Sequence, residues 1–102
     1  MNQTVIYEIT AVVRAGLIEE YETYMRGRHI PDLLATGYFS GAAFTRSGEN
    51  RYRIRYEALS QKALDDYLDN EAERLRGDFL AHFPDGIELS REVWENLQAW
   101  TV

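Results

Sequence analysis

Residues Arg51 to Leu59 read RYRIRYEAL and alternate without a miss. Tyr52, Ile54, Tyr56 and Ala58 fall on one side, and Arg51, Arg53, Arg55 and Glu57 on the other. Side chains of a strand point to opposite faces in turn, so this segment is a strand with one face in a core and the other charged. A chain containing it must build a sheet and bring apolar cover to one face. The first segment, Thr4 to Val13 (TVIYEITAVV), is patterned differently. Val5, Tyr7, Ile9, Ala11 and Val13 share one face, and Ile6, Glu8, Thr10 and Val12 the other. Apolar side chains on both faces predict a central strand covered on both sides.

The intervening segments follow from local signals. Ala15-Gly16 turns the chain into a helix from about Leu17 to Arg28, with Leu17, Tyr21, Tyr24 and Met25 on one stripe. Its glutamates lie early and its arginines late, as the helix dipole favours. Pro31 and Gly37 predict a break after His29 and a short second helix closed by the glycine. Tyr38 to Arg46 reads as a strand, joined through Ser47-Gly48-Glu49-Asn50 to RYRIRYEAL as a hairpin. Ser60 is an N-cap for a helix from Gln61 to about Phe83, bent near Asn70. Its stripe is Leu64, Tyr67, Leu68, Ala72, Leu75, Phe79 and Phe83, and Pro84-Asp85-Gly86 ends it. Ile87 to Trp100 reads as a last strand. Ile87, Leu89, Val93 and Leu97 hold odd positions and Trp94 and Trp100 even ones, an imperfect alternation that predicts a bulge or irregular edge.

The order is strand, helix, strand, strand, helix, strand in 102 residues. One α+β domain spanning 1–102 follows, a ferredoxin-like βαββαβ sandwich with a four-stranded antiparallel sheet and two helices on one face. The helices can cover only that face. Because the first strand is apolar on both sides, a second copy of the chain is expected on the other face, giving a homodimer.

Composition removes several classes of function. A net charge of -6 opposes non-specific nucleic-acid binding. Most of the acid sits on the long helix, at Asp65, Asp66, Asp69, Glu71, Glu73 and Asp78; it reads as a solvated face, or alternatively as a dock for a basic partner. No apolar run approaches the roughly 20 residues that cross a bilayer, and Met1-Asn2-Gln3-Thr4 lacks the features of a signal peptide. A cytoplasmic protein without membrane attachment is the expectation. With no cysteine there is no disulfide, thiolate metal site or cysteine nucleophile.

The string His29-Ile30-Pro31-Asp32-Leu33-Leu34-Ala35-Thr36-Gly37, followed by Tyr38-Phe39, resembles the signature of an uncharacterised bacterial family, domain of unknown function 4286. Tyr52-Arg53-Ile54-Arg55-Tyr56 and the surroundings of Leu75-Arg76 and His82-Phe83 are similar too. The resemblance spans nearly the whole chain. It implies a ferredoxin-like fold of the dimeric α/β-barrel type, and it carries no reaction. Relatives of that architecture include small monooxygenases, isomerases and haem-dependent enzymes, so fold alone leaves the chemistry open.

His29 is the residue best suited to catalysis. Its imidazole titrates near neutrality and stands at the expected helix break, where a cleft can open. The plainer reading is a histidine capping the first helix through a free carbonyl, since no catalytic partner is fixed by spacing. His82 suits capping better still. No metal site is expected, because the two histidines lie 53 positions apart and no HxxxH, HxxE or aspartate-rich loop occurs. No glycine-rich phosphate loop or GxSxG elbow is present, and no cofactor is expected. Arg51, Arg53 and Arg55 could hold a carboxylate or phosphate, or simply pair with Glu57, Glu8 or a partner subunit. Tyr7, Tyr56 and Trp94 could line an apolar ligand pocket with polar tips, or be plain core. Two functions fit: a small-molecule pocket between sheet and helices with His29 at its mouth, open to an enzymatic role, or a non-catalytic dimeric interaction or regulatory module.

Overall fold

The two patterned segments become the inner strands of one sheet. In a computed structural model describing residues 4–102, β1 (Val5–Val13) lies between β3 (Arg51–Ala58) and β4 (Ile87–Glu95), and β2 (Phe39–Ser47) flanks β3. The order is β2-β3-β1-β4, and every pairing is antiparallel. Met1 to Gln3, part of the leader reading, lie outside the described residues. The fold is α+β and ferredoxin-like, as the order of elements predicts.

The register explains the alternation. Tyr7 stands opposite Tyr56 and Ile9 opposite Ile54, so β1 and β3 present one continuous apolar face. Val5, Tyr7, Ile9, Ala11, Val13, Tyr52, Ile54, Tyr56 and Ala58 are all buried beneath the helices. Burying the valines and isoleucines among them contributes roughly 1.5–3 kcal/mol each relative to leaving them in water. Gly37, at φ +88°, reverses the chain into β2. Gly86, at φ +86°, leads into β4, and its carbonyl accepts from the Arg14 amide at 2.8 Å.

The first helical layer departs from expectation. A tight turn (Ala15–Leu17) enters α1 (Ile18–Tyr24), and a π-helical turn (Met25–His29) leads directly into α2 (Ile30–Leu34). No break follows His29: that residue (φ -65°, ψ -51°) and Ile30 (φ -64°, ψ -48°) are both helical. Pro31 is the physical reason for both the prediction and its failure. Proline has no N–H and crowds the carbonyl four residues back. The helix meets this by widening rather than ending, and the Ile30 amide reaches back five residues to the Met25 carbonyl. The wide turn also keeps buried side chains aligned. Tyr21, Met25, His29 and Leu33 recur every four residues. On a helix of 3.6 residues per turn, each such step overshoots by about 40°, and the under-wound turn removes part of that drift.

The second layer is α3 (Gln61–Asn70) and α4 (Ala72–His82), separated at Glu71 (φ -126°), one residue beyond the expected bend. The Ala63 amide donates to Ser60 Oγ at 3.0 Å, the expected cap. Several of the helix acids have local partners: Asp66 pairs with Lys62, Glu71 with Arg74, and Asp65 accepts from Gln61.

Two further expectations need correction. β4 pairs with β1 in unbroken register to Glu95 and carries no bulge, and it stops short of Trp100. The ladder shifts instead in β2, between Phe39 and Gly41, where Ser40 donates to Glu57 at 2.8 Å. The second face of β1 is not an apolar patch either. Ile6 and Val12 stand among charges, because Glu8 pairs across to Arg55 and Glu92, and Thr10 to Arg53 and Ser90. Glu8 is nonetheless buried, held under Arg53 (3.6 Å), Arg55 (3.4 Å) and the Trp94 indole N–H (3.1 Å).

Candidate functional site

The inner face of the sheet and the two helical layers do not close completely. They leave a cavity of about 240 Å³. Tyr7, Ile9 and Ile54 form its floor on the sheet. The four-residue series Tyr21, Met25, His29 and Leu33 forms one wall, and Tyr67, Leu75 and Phe79 of α3 and α4 form another. The exposed members of the lining, Leu80 of α4 and Arg91 of β4, mark its open side. The lining is mainly aliphatic and aromatic, with polar groups at a few points, the usual make-up of a small-molecule site.

His29 reaches this wall because of the π-helical turn, the kind of helix defect often found at functional sites. Its ring packs edge-on against Phe79 (5.6 Å) and stacks beside Tyr24 (6.0 Å). It is only 8% exposed, so it lies within the wall and not at the mouth. The capping alternative does not hold, because the helix continues through His29 and Nδ1 is buried without a hydrogen-bond partner. Burial drives the imidazole pKa down to about 4, against the opposing pull of Asp32 and Asp78 and with a smaller push from Arg91. The ring is therefore neutral at pH 7, in its proton-accepting form. His82 lies outside the lining. It pairs with Glu20 at 3.2 Å and stacks on Tyr24 at 4.4 Å.

The expected ligand-binding aromatics separate. Tyr7 lines the cavity, and its hydroxyl accepts from Arg76 at 2.8 Å. Tyr56 lies beside the floor on the same sheet face and outside the lining, its ring 6.2 Å from that of Tyr7 and its hydroxyl buried without a partner. Desolvation raises its pKa strongly, as it does for Tyr21 and Tyr67. Trp94 is on the opposite face of the sheet, across from Ile6, and is not part of the lining. Two of the arginines in the β3 row, Arg53 and Arg55, pair with Glu8 as the plainer reading had it.

Sequence reasoning missed Arg76 and Arg91 as site residues. Arg91 did leave a signal: it shares the parity of Ile87, Leu89 and Val93, so it is a charge on the apolar side of a strand. Arg76 follows Leu75 of the buried stripe and was marked only by the family resemblance around that pair.

Solved structures share this fold at low identity. SnoaB from Streptomyces nogalater, a cofactor-independent oxygenase, superposes with TM-score 0.76 at 14% identity, over 94% of this chain and 95% of its own. A putative antibiotic biosynthesis monooxygenase from Nitrosomonas europaea gives 0.75 at 10%, over 95% and 93%. A dimeric ferredoxin-like protein from an uncultured marine organism gives 0.71 at 12%, over 97% and 100%. No curated protein matches by sequence. A family profile covers residues 4–97, and on that match the chain belongs to the family described as Domain of unknown function (DUF4286).

Proposed function

We propose that the cavity binds an apolar small molecule and that His29 acts on it as a proton acceptor, making the protein an enzyme. The observation that carries the reading is a buried, neutral imidazole with an unpartnered nitrogen in the wall of a half-open apolar cavity. Keeping such a group out of water without a hydrogen bond costs stability, and unsatisfied polar groups in native structures often mark functional positions. The names of two structural neighbours, a cofactor-independent oxygenase and a putative antibiotic biosynthesis monooxygenase, agree with a small-molecule enzyme. The test has two stages. A thermal-shift screen finds apolar compounds that stabilise the protein, a ligand at 100 times its Kd adding about 2.7 kcal/mol. Deuterium uptake from D2O at an acidic C–H of the bound compound is then followed by NMR. Uptake with wild type and none with His29→Gln, at equal binding, supports the role. Equal uptake by both sinks it.

The second copy belongs to the same reading, with a different basis from the sequence argument. The outer face carries Arg51, Arg53 and Arg55 on one side of β1, and Glu88 and Glu92 on the other. A two-fold axis parallel to β1 between two facing sheets sets each arginine row over the partner's glutamate row. An axis across the strands sets like charges together. Charge complementarity of this kind fixes register more than affinity. A solved neighbour of the same fold is dimeric. Light scattering should return twice the 11.9 kDa of the chain, and the single-chain mass at micromolar concentration overturns the dimer.

A further inference from the structure

The cavity has a charge imbalance. Arg76 of α4 and Arg91 of β4 both line it, and no carboxylate does, among the described residues. Asp32 and Asp78 bear on His29 from α2 and α4, but they form no part of the lining and pair with neither guanidinium. Both line the same cavity as Tyr67, and both oppose the rise in the pKa of its phenol. Arg76 is held in place by its bond to the Tyr7 hydroxyl at 2.8 Å, which uses one of five guanidinium donors. The arginines that do form ion pairs meet their carboxylates on the protein surface or the outer sheet face, and Arg28 and Arg51, which also form none among the described residues, lie outside the cavity lining. Arg76 and Arg91 border an apolar cavity with no carboxylate paired to either, among the described residues.

Resting on the pocket proposed above, we infer that its ligand is an apolar carboxylate, its acid group held by Arg76 and Arg91 near the open side and its hydrocarbon part inserted towards Ile54, Met25 and Leu33. A planar guanidinium presents paired donors that match a carboxylate. The fork is more valuable at a partly dehydrated rim than in open water. The volume sets the size. About 240 Å³ exceeds the roughly 150 Å³ of an apolar cavity that takes benzene. It suits a single substituted ring or a medium-length chain.

Octanoate, octan-1-ol and octylamine share a chain and differ in charge, so calorimetric titration of the whole protein with all three separates chain from head group. Octanoate should bind at least ten-fold more tightly than the alcohol, and octylamine weakest. Arg91→Gln, at an exposed strand position, should lower octanoate affinity about ten-fold and leave octanol unchanged; Arg76→Gln should lower it as well. Equal binding of octanoate and octanol overturns the anion while the pocket stands. Octanoate affinity unchanged in both variants overturns the arginine assignment. If none of the three binds at millimolar concentration, the pocket itself falls, and this ligand class with it.

Discussion

Acid should destabilise this protein through His29 before its carboxylates titrate. The imidazole has its usual pKa of 6.5 when the chain is unfolded and about 4 when buried in the cavity wall. Above pH 6.5 it is neutral in both states and contributes no pH dependence. Between 6.5 and 4 the unfolded chain binds a proton that the folded one refuses, so stability falls as pH falls, by about 1.4 kcal/mol per pH unit. Below 4 both states are protonated and the loss is complete, at roughly 3 kcal/mol. At pH 5 the loss relative to pH 7.5 is about 2 kcal/mol. Glu22 works in a different window. The Tyr52 hydroxyl donates to it at 2.6 Å and holds its pKa below the usual 4.5, so its contribution is present above that value and disappears only as pH drops further.

The assay is urea unfolding at pH 5.0, 6.0 and 7.5, comparing the native sequence at 29 with His29→Gln. Both carry His82→Gln, which removes the only other imidazole. The protein with His29 should lose about 2 kcal/mol more than its partner between pH 7.5 and pH 5. Identical slopes would show that His29 is solvated in the folded state. The buried wall position, and the neutral base built on it, would then be wrong.

The other predictions concern packing and turns. Leu75→Ala, at a side chain 1% exposed in the cavity wall, should cost about 2–5 kcal/mol in urea unfolding; an unchanged midpoint would place α4 on the wrong face. Gly37→Ala should cost on the order of 1 kcal/mol, from its positive φ alone, since a Cβ there meets nothing within 4 Å. Gly86→Ala should cost at least as much. Its φ is similar, and its Cβ would stand 2.7 Å from Leu17 Cδ1 and 3.1 Å from the Arg14 guanidinium, the movable ends of two side chains that must shift to admit it. A Gly86→Ala protein that melts above Gly37→Ala would refute this.

The strands were legible because each rule that writes them is local. Tyr52, Ile54, Tyr56 and Ala58 alternate with arginines whatever the rest of the chain does, and Ser60 caps its helix through a contact three residues away. Gly37 was legible for the same reason, since a helix followed at once by a strand needs a reversal. The failures turn on packing that no short window shows. Pro31 signals a break locally, and only the buried series from Tyr21 to Leu33 shows that the helix gains by continuing. Trp94 resembles Tyr7 and Tyr56 as an aromatic on a strand. Whether it joins them depends on its pairing with Ile6, some ninety positions earlier. Arg76 meets Tyr7 across 69 positions.

The irregular pattern of β4 then has a different meaning from a bulge. The helices cover the inner faces of β1 and β3, where every alternate residue is apolar and buried. β4 lies at the edge of that cover. Its inner-facing Ile87 and Leu89 are partly buried, whereas Arg91 and Val93 are exposed. The strand obeys period two throughout, but the environment of its inner face changes along its length, from core to water. An arginine is stable at that boundary because its stem can lie on apolar surface while the guanidinium stays hydrated. The place where the helical cover gives out is also the place where the cavity opens. The charge that spoils the alternation is thus the one placed to meet whatever enters.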